Sequence, residues 1–291
     1  MSRYFIAGCG DVGRRIIAAL IAQGFEPAHI GGTARSPESQ AKAKVLGVNV
    51  FLLDLDRNES CDFSAITADT QLYYTIAPSA SGDQDRRTAR FLSALTDQRT
   101  LPQKIVLIST TGVYGDCEGR WVDESAPLNP MTDRAKRRVD MERQFTAFAA
   151  RVEIPLITLR VPGIYARSRL PERRIRSGEP VLTIAESGFS NRVHADDLAE
   201  ICVLVMQRLN QSDVFNVSDG KPGTITEYLH TVADFLALPR LPEVSAAQAQ
   251  IKLSSGLRSY LNESRRISNT KLLSVLNTEL RYPDFRNGMK Y

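Results

Sequence analysis

Apolar and polar positions fall in blocks along this chain. The apolar-rich run Tyr4 to Gly8 leads directly into Gly8, Gly10 and Gly13, and an alanine- and isoleucine-rich stretch follows at once. This order predicts a strand, a tight turn and a helix start. AHIGGTAR (28–35) predicts a second strand. SPESQAKAKVLG predicts a helix with Ser36 as its cap and Pro37 at its first position. Further strands are predicted over 48–55, 70–78 and 104–115, with a helix over 83–98 between the last two. Continuous apolar strands separated by helices predict a parallel sheet covered on both faces. The alternation pauses at a polar loop over 115–130, then resumes with a long helix from about 131 to 152 and a sixth strand over 153–165. Beyond it, 195–209 predicts a helix with an apolar stripe, 213–220 a short strand and 224–236 a helix. Pro239, Pro242, Pro283 and a mixed tail predict a smaller region there. The chain shows no internal repeat.

Composition narrows the class. With 291 residues, 43% hydrophobic and 24% charged, the chain is long enough for one large α/β domain or a domain with a smaller appendage. Cys9, Cys61, Cys117 and Cys202 have neither CxxC nor metal-ligand spacing, so no disulfide framework or metal site is expected, and a reducing cytoplasm is the natural setting. The first strand begins almost at Met1, so no signal peptide is expected ahead of it. Apolar runs such as ICVLVM (201–206) are too short to cross a bilayer, which argues against a membrane role. A formal charge of +4 is too mild to indicate nucleic acid.

GxGxxG closing a strand and opening a helix carries a mechanism. Gly8 permits the sharp turn, Gly10 lets the backbone approach a pyrophosphate, and Gly13 lets helix and strand pack closely. Asp11 and Val12 complete this cofactor-binding stretch, where the helix's first N–H groups lie at the positive end of its dipole. Coenzyme choice is expected about 20 residues on, where an acid would bond the ribose hydroxyls of NAD. The second strand ends instead in Thr33, Ala34, Arg35 and Ser36. A guanidinium offers paired donors to a 2′-phosphate, so NADP is the expected coenzyme, with NAD second. The bland alternative is that Arg35 is a solvated surface residue. Asp54, at the end of the third strand, either bonds the adenine amine or caps the next turn.

The stretch ISTTGVYG (108–115) resembles the SSxxVYG motif of the extended short-chain dehydrogenase/reductase family, the NAD(P)-dependent epimerase/dehydratase group. GCGDVG, LRVPGIY (159–165), NRVHADDLAE (191–200), FNVSDG (215–220) and RRISNTKL (265–272) agree in order over nearly the whole chain. GVYGDCEGRWVDES is closer still to a bacterial branch grouped with nucleoside-diphosphate-sugar epimerases. The resemblance implies an α/β, Rossmann-like doubly wound parallel sheet over 1–165, with 191–217 returning to it. It also implies a small C-terminal substrate-binding region over 166–190 and 218–291, with the site in the cleft between the two.

The family's YxxxK pair is the point of departure. Here the aligned stretch is NPMTDRAKRRVD, with Lys136 in the Lys position and Thr132 where the acid/base Tyr belongs. A threonine hydroxyl cannot ionise near pH 7 as a phenol crowded by cations can. The resemblance assigns Lys136 to the nicotinamide ribose and Thr110 to a substrate carbonyl. Thr110 otherwise bonds backbone at a strand end. Tyr114 and Tyr165 are further phenols, with Tyr114 mostly structural in relatives. Asp123 and Glu124 are acids on the substrate loop or anchors of it. Arg134, Arg137 and Arg138 read as a solvated helix face. Arg167, Arg169, Arg173, Arg174 and Arg176 read either as a diphosphate site or as a basic surface. His194 and Asp197 suggest hinge packing and a helix cap.

The expected function is an NADP-binding epimerase/dehydratase-like oxidoreductase acting on an anionic small molecule, a nucleotide sugar being the implied example. The alternative is a catalytically silent NADP-binding sensor. A homodimer is compatible with both.

Overall fold

The computed structural model describes residues 3–57, 61–99, 101–252 and 263–290. They divide into two compact units. One comprises Met1–Val113, Asp133–Arg160 and Leu198–Phe215, and the other Tyr114–Thr132, Val161–Asp197 and Asn216–Tyr291.

In the first unit the apolar runs become the strands β1 (Arg3–Ala7), β2 (Ile30–Ala34), β3 (Asn49–Leu52), β4 (Thr70–Tyr74) and β5 (Lys104–Thr110). Helices α1 (Asp11–Ala22), α2 (Pro37–Lys44) and α3 (Arg86–Asp97) connect them as predicted. With β7 (Leu156–Val161) and β12 (Asp213–Asn216), these strands form one seven-stranded sheet in the order β12-β7-β5-β4-β1-β2-β3. The pairings β1·β2, β2·β3, β1·β4 and β4·β5 are parallel. This is the Rossmann-like doubly wound sheet, and its winding reverses between β1 and β4.

Local chemistry explains the helix starts. The Ser36 hydroxyl accepts the Ser39 N–H at 3.2 Å, with Pro37 at the first position of α2. Asp85 caps α3 by accepting the Arg87 N–H at 3.2 Å. Packed against the sheet are Phe91, Leu95 and Phe145, the last from α4 (Asp133–Val152). The Tyr74 ring lies 5.0 Å from Phe91 and 4.7 Å from Phe145 between centroids. Burying each such ring stabilises the unit by about 1.5–3 kcal/mol. Lys104 is buried at the start of β5, where its Nζ donates to the Met206 carbonyl at 2.8 Å, to Asn210 Oδ1 at 2.9 Å and to the Leu209 carbonyl. It thereby satisfies acceptors at the C-terminal end of α6 (Ala195–Arg208).

Several predicted strands are shorter than their apolar runs: 48–55 gives only Asn49–Leu52, 70–78 ends at Tyr74 and 213–220 at Asn216. The run 104–115 ends at Thr110 and turns into a 3₁₀ segment, Thr111–Tyr114. The run 153–165 divides at Pro162, which has no N–H to give a ladder. Before it lies β7, and after it β8 (Gly163–Tyr165), which pairs in parallel with β11 (Arg192–His194).

The second unit is built from short elements. The loop over 115–130 contains β6 (Trp121–Val122), paired in parallel with β15 (Arg266–Ile267). Next come α5 (Glu172–Arg176), β9 (Val181–Leu182) and β10 (Phe189–Ser190), then β13 (Gly223–Thr224), α7 (Ile225–Phe235), β14 (Glu243–Val244) and α8 (Ala246–Lys252). β10 pairs with β13 and β9 with β14. Thr224 and Glu227 form a reciprocal capping box at the start of α7. Tyr165, Val181, Leu229, Val232 and Phe285 fill the core of this unit. Among the described residues no helix is long and apolar enough to cross a membrane.

Candidate functional site

In an open α/β sheet the crevice forms at the carboxyl ends of the strands where the winding reverses. In the first unit that point is the end of β1 beside the end of β4, and Gly8 follows β1 there. Its φ of +101° is a conformation that only glycine adopts without strain. A Cβ at this position would stand 2.8 Å from the Thr75 hydroxyl. That hydroxyl donates to the Gly8 carbonyl at 2.5 Å and so ties the turn to β4. The Gly8 N–H donates to the Thr33 hydroxyl at 3.1 Å, and the Cys9 N–H to the Thr33 carbonyl. Thr33 is therefore buried and fixes the turn from β2.

The other two glycines differ in kind. A Cβ on Gly13 would lie 2.4 Å from the Gly8 carbonyl oxygen, so α1 packs on β1 too closely for any side chain. A Cβ on Gly10 would meet nothing within 4 Å. Gly10 is exposed, and the first helical bond, Arg14 N–H to the Gly10 carbonyl, begins after the amides of Val12 and Gly13. Open space in front of a helix N-terminus is the room a diphosphate requires, and the residues present fit a dinucleotide. The Asp11 carboxylate at this end is flanked by Arg15 at 3.4 Å and Arg14 at 3.8 Å.

At the end of β2, Arg35 is 61% exposed. Its Nε lies 3.4 Å from Asp54 and its Nη2 3.0 Å from Asp56. Asp54 accepts the Asp56 N–H at 3.1 Å, so it caps the turn after β3 while also facing Arg57 at 3.7 Å. Asp56 is gripped from the other side by Arg87, whose Nε and Nη2 reach its two oxygens at 2.7 and 2.5 Å. That fork holds the Asp56 carboxyl below the usual carboxylate range. Sequence reasoning missed Thr75, Asp56 and Arg87. The pair DLD over 54–56 was a signal for Asp56, whereas nothing in the local pattern marks Arg87.

At the end of β5 neighbouring side chains face opposite ways. Ser109 donates to Glu142, which pairs with Arg160 at 2.9 Å in the interior of the first unit. Thr110 is half-buried, and its oxygen accepts the Gly112 N–H at 3.2 Å. Lys136 is exposed on α4, 3.6 Å from Asp133. The helix begins at Asp133, one residue after Thr132.

In the second unit the Tyr114 hydroxyl is buried and donates to Asn216 Oδ1 at 2.9 Å. The Asn216 N–H in turn donates to Glu124 at 2.7 Å, while Asp123 accepts both the N–H and the hydroxyl of Ser125. These bonds hold the polar loop. His194 is buried, with the Tyr165 ring 5.0 Å and the Tyr282 ring 3.9 Å away, and Asp197 accepts the N–H groups of Arg281 and Tyr282. In the arginine-rich segment, Arg176 pairs with Glu172 at 2.7 Å and Arg167 lies over Phe235 at 4.9 Å. Among the described residues no cluster of three His, Cys, Asp or Glu side chains could hold a metal ion.

The family model "NAD dependent epimerase/dehydratase family" matches residues 5–218. Protein YeeZ of Escherichia coli K12 is 24% identical over 291 residues, covering 98% of this chain and 97% of its own. A conserved protein of unknown function from Silicibacter pomeroyi superposes with a TM-score of 0.81 at 28% identity, over 99% of this chain and 96% of that one. The UDP-glucuronic acid 4-epimerase of Bacillus cereus, solved in complex with NAD, superposes with a TM-score of 0.72 over 99% of this chain and 96% of its own. At 15% identity that last match is a likeness of fold.

Proposed function

Because the chain belongs to the NAD-dependent epimerase/dehydratase family, we propose that it is an NADP(H)-binding oxidoreductase of epimerase/dehydratase type. Its proposed substrate is an anionic small molecule, a nucleotide sugar in particular. The observation that carries this reading is the glycine cradle at the β1–β4 reversal, with open space over Gly10 and an arginine rather than an acid at the end of β2. The fold is shared with a UDP-glucuronic acid 4-epimerase that binds NAD, which supports the substrate class.

The proposed assignments follow from chemistry. Amides at the start of α1, around Asp11, Val12 and Gly13, receive the diphosphate, and Arg35 receives the 2′-phosphate. Lys136 grips the nicotinamide ribose, exchanging for it an exposed, salt-screened pairing with Asp133. The Thr110 hydroxyl keeps its proton for a substrate carbonyl while its oxygen accepts the Gly112 N–H. The bound nicotinamide supplies hydride transfer. Tyr114, buried on Asn216, orients the end of the motif, and the proton of the reaction travels through water or another acid. Arginines 167–176 of the second unit are proposed to meet the anionic part of the substrate.

Turnover tests this reading. The purified chain, given NADP(H) and a panel of nucleotide sugars, should yield an epimerised or dehydrated sugar by chromatography, with the coenzyme regenerated in each cycle, or a net change in nicotinamide absorbance where the sugar is reduced or oxidised overall, and Thr110→Ala should abolish product formation. One observation favours a second reading. Thr132 occupies the Tyr position, and a site without an ionisable acid there suits a silent NADP-binding sensor. Tight NADPH binding without turnover on any substrate of the panel is the outcome for the sensor.

A further inference from the structure

Three guanidinium groups and two carboxylates meet where β2 and β3 end. Arg35 faces Asp54 and Asp56, Arg57 faces Asp54, and Arg87 faces Asp56. The pairings are unequal. Arg87 is 11% exposed and anchored, with Nη1 donating to the carbonyls of Ala77 at 2.9 Å and Pro78 at 3.0 Å while its other nitrogens take both oxygens of Asp56. A bidentate pair on a fixed partner leaves a carboxylate little freedom. Asp56 is therefore a stationary negative charge, and the same Oδ2 that Arg87 holds lies 3.0 Å from Arg35 Nη2.

We propose that Asp56, fixed by Arg87, is a specificity-determining residue that restrains the preference for NADP(H) over NAD(H) by competing with the 2′-phosphate for Arg35. The inference rests on the proposed reading of the glycine cradle as a dinucleotide site. Arg35 does not depend on Asp56 for its place, because Asp54 contacts it independently at 3.4 Å. Removing the Asp56 charge frees Arg35 Nη2 for the phosphate, removes one anion beside it and uncovers the charge of Arg87. A carboxylate across a guanidinium from a doubly charged phosphate, about 6–7 Å away in a water-exposed site, weakens binding about tenfold. That is about 1.4 kcal/mol. NAD(H) has no 2′-phosphate beside Arg35, so removing this charge does not tighten its binding in the same way.

The test is calorimetric titration of the full chain with NADPH and with NADH, in the parent, Asp56→Asn and Asp69→Asn. Asn keeps the size of Asp and can still accept from Arg87. Asp69 is an exposed carboxylate before β4, at the opposite end of the strand, and gives the same change in net charge. The NADPH-to-NADH affinity ratio is expected to rise about tenfold in Asp56→Asn, through tighter NADPH binding, and to stay unchanged in Asp69→Asn. Asp56→Ser, which also lacks the charge, should repeat the rise. An unchanged or lowered ratio in both Asp56 variants overturns the inference while leaving the dinucleotide site standing. An equal rise in Asp69→Asn also overturns it, since net charge alone would then account for the effect. A parent chain that binds neither coenzyme removes the dinucleotide reading and this inference with it.

Discussion

Gly10 and Gly13 lie three residues apart in one motif, and the structure assigns them separable tasks. Gly10 has φ −71° and ψ −158°, a conformation alanine adopts without strain, and nothing lies within 4 Å of an added methyl. Gly10→Ala should therefore cost only the difference between glycine and alanine at a helix N-cap, about 0.5 kcal/mol, or about 1–2 °C in Tm for a chain of this size. The methyl would stand in the space proposed for the diphosphate and would hold it off the helix amides. Losing one or two charge-assisted bonds of about 1.5–3 kcal/mol each should weaken NADPH binding by at least about tenfold. Gly13→Ala should act the other way round. Its methyl would press on the Gly8 carbonyl at 2.4 Å and on the Ile6 side chain at 3.0 Å. Lifting α1 off β1 costs about 1–3 kcal/mol, and Tm should fall by several degrees without any ligand. Thermal unfolding by circular dichroism, paired with calorimetric titration of NADPH, separates the two effects. Undiminished NADPH binding by Gly10→Ala, or a loss of stability as large as that of Gly13→Ala, would show that the two glycines do not have these separate roles.

Three further outcomes follow from buried polar groups. Asp219 is buried, its Oδ2 has no hydrogen-bond partner among the described residues, and burial pushes its carboxyl up to about 7. Folding therefore takes up a proton, and stability should fall as pH rises from about 4 to about 7 and then level off. Asp219→Asn should flatten that slope and stabilise the chain at pH 8 by up to about 4 kcal/mol, read from Tm against pH; parallel profiles for parent and variant would contradict this. Glu142→Gln removes the carboxylate that pairs with the buried Arg160 at 2.9 Å and should cost about 3–5 kcal/mol in urea unfolding, with Glu142→Leu/Arg160→Met costing less than the single change. A single-variant cost below about 1 kcal/mol would rule out this account of the pair. Lys104→Met strands three acceptors at the end of α6, so it should cost about 1–3 kcal/mol per unsatisfied group and speed amide exchange in the last turn of that helix. Unaltered exchange there would argue against the capping role.

What the sequence shows of this protein is whatever its near neighbours in the chain determine. The strand, three glycines and helix that make the cradle lie within one stretch, and Ser36-Pro37 announces α2 through a cap that spans three residues. The Rossmann-like sheet was legible for the same reason, because each buried parallel strand carries its own apolar run. Two-residue strands such as β6 and β15 were not, since periodicity needs more length than they have. Pro162 was readable as the break between β7 and β8, yet the apolar residues on both sides masked it. The surroundings of Arg35 were beyond local reading. Its partners come from the end of β3, and the Arg87 that fixes Asp56 is 31 residues further along. An arginine at the end of β2 thus looked solitary, although it stands among two carboxylates and two more guanidinium groups.

We propose that the amides at the start of α1 and the guanidinium of Arg35 together hold a phosphorylated dinucleotide. Isothermal titration of the pure, folded chain with NADPH and with NADH tests it most directly. Saturable one-to-one binding of NADPH, tighter than that of NADH and selectively weakened by Arg35→Ala, is the predicted result. No heat of binding with either coenzyme, or equal affinity for both that Arg35→Ala leaves unmoved, would contradict it.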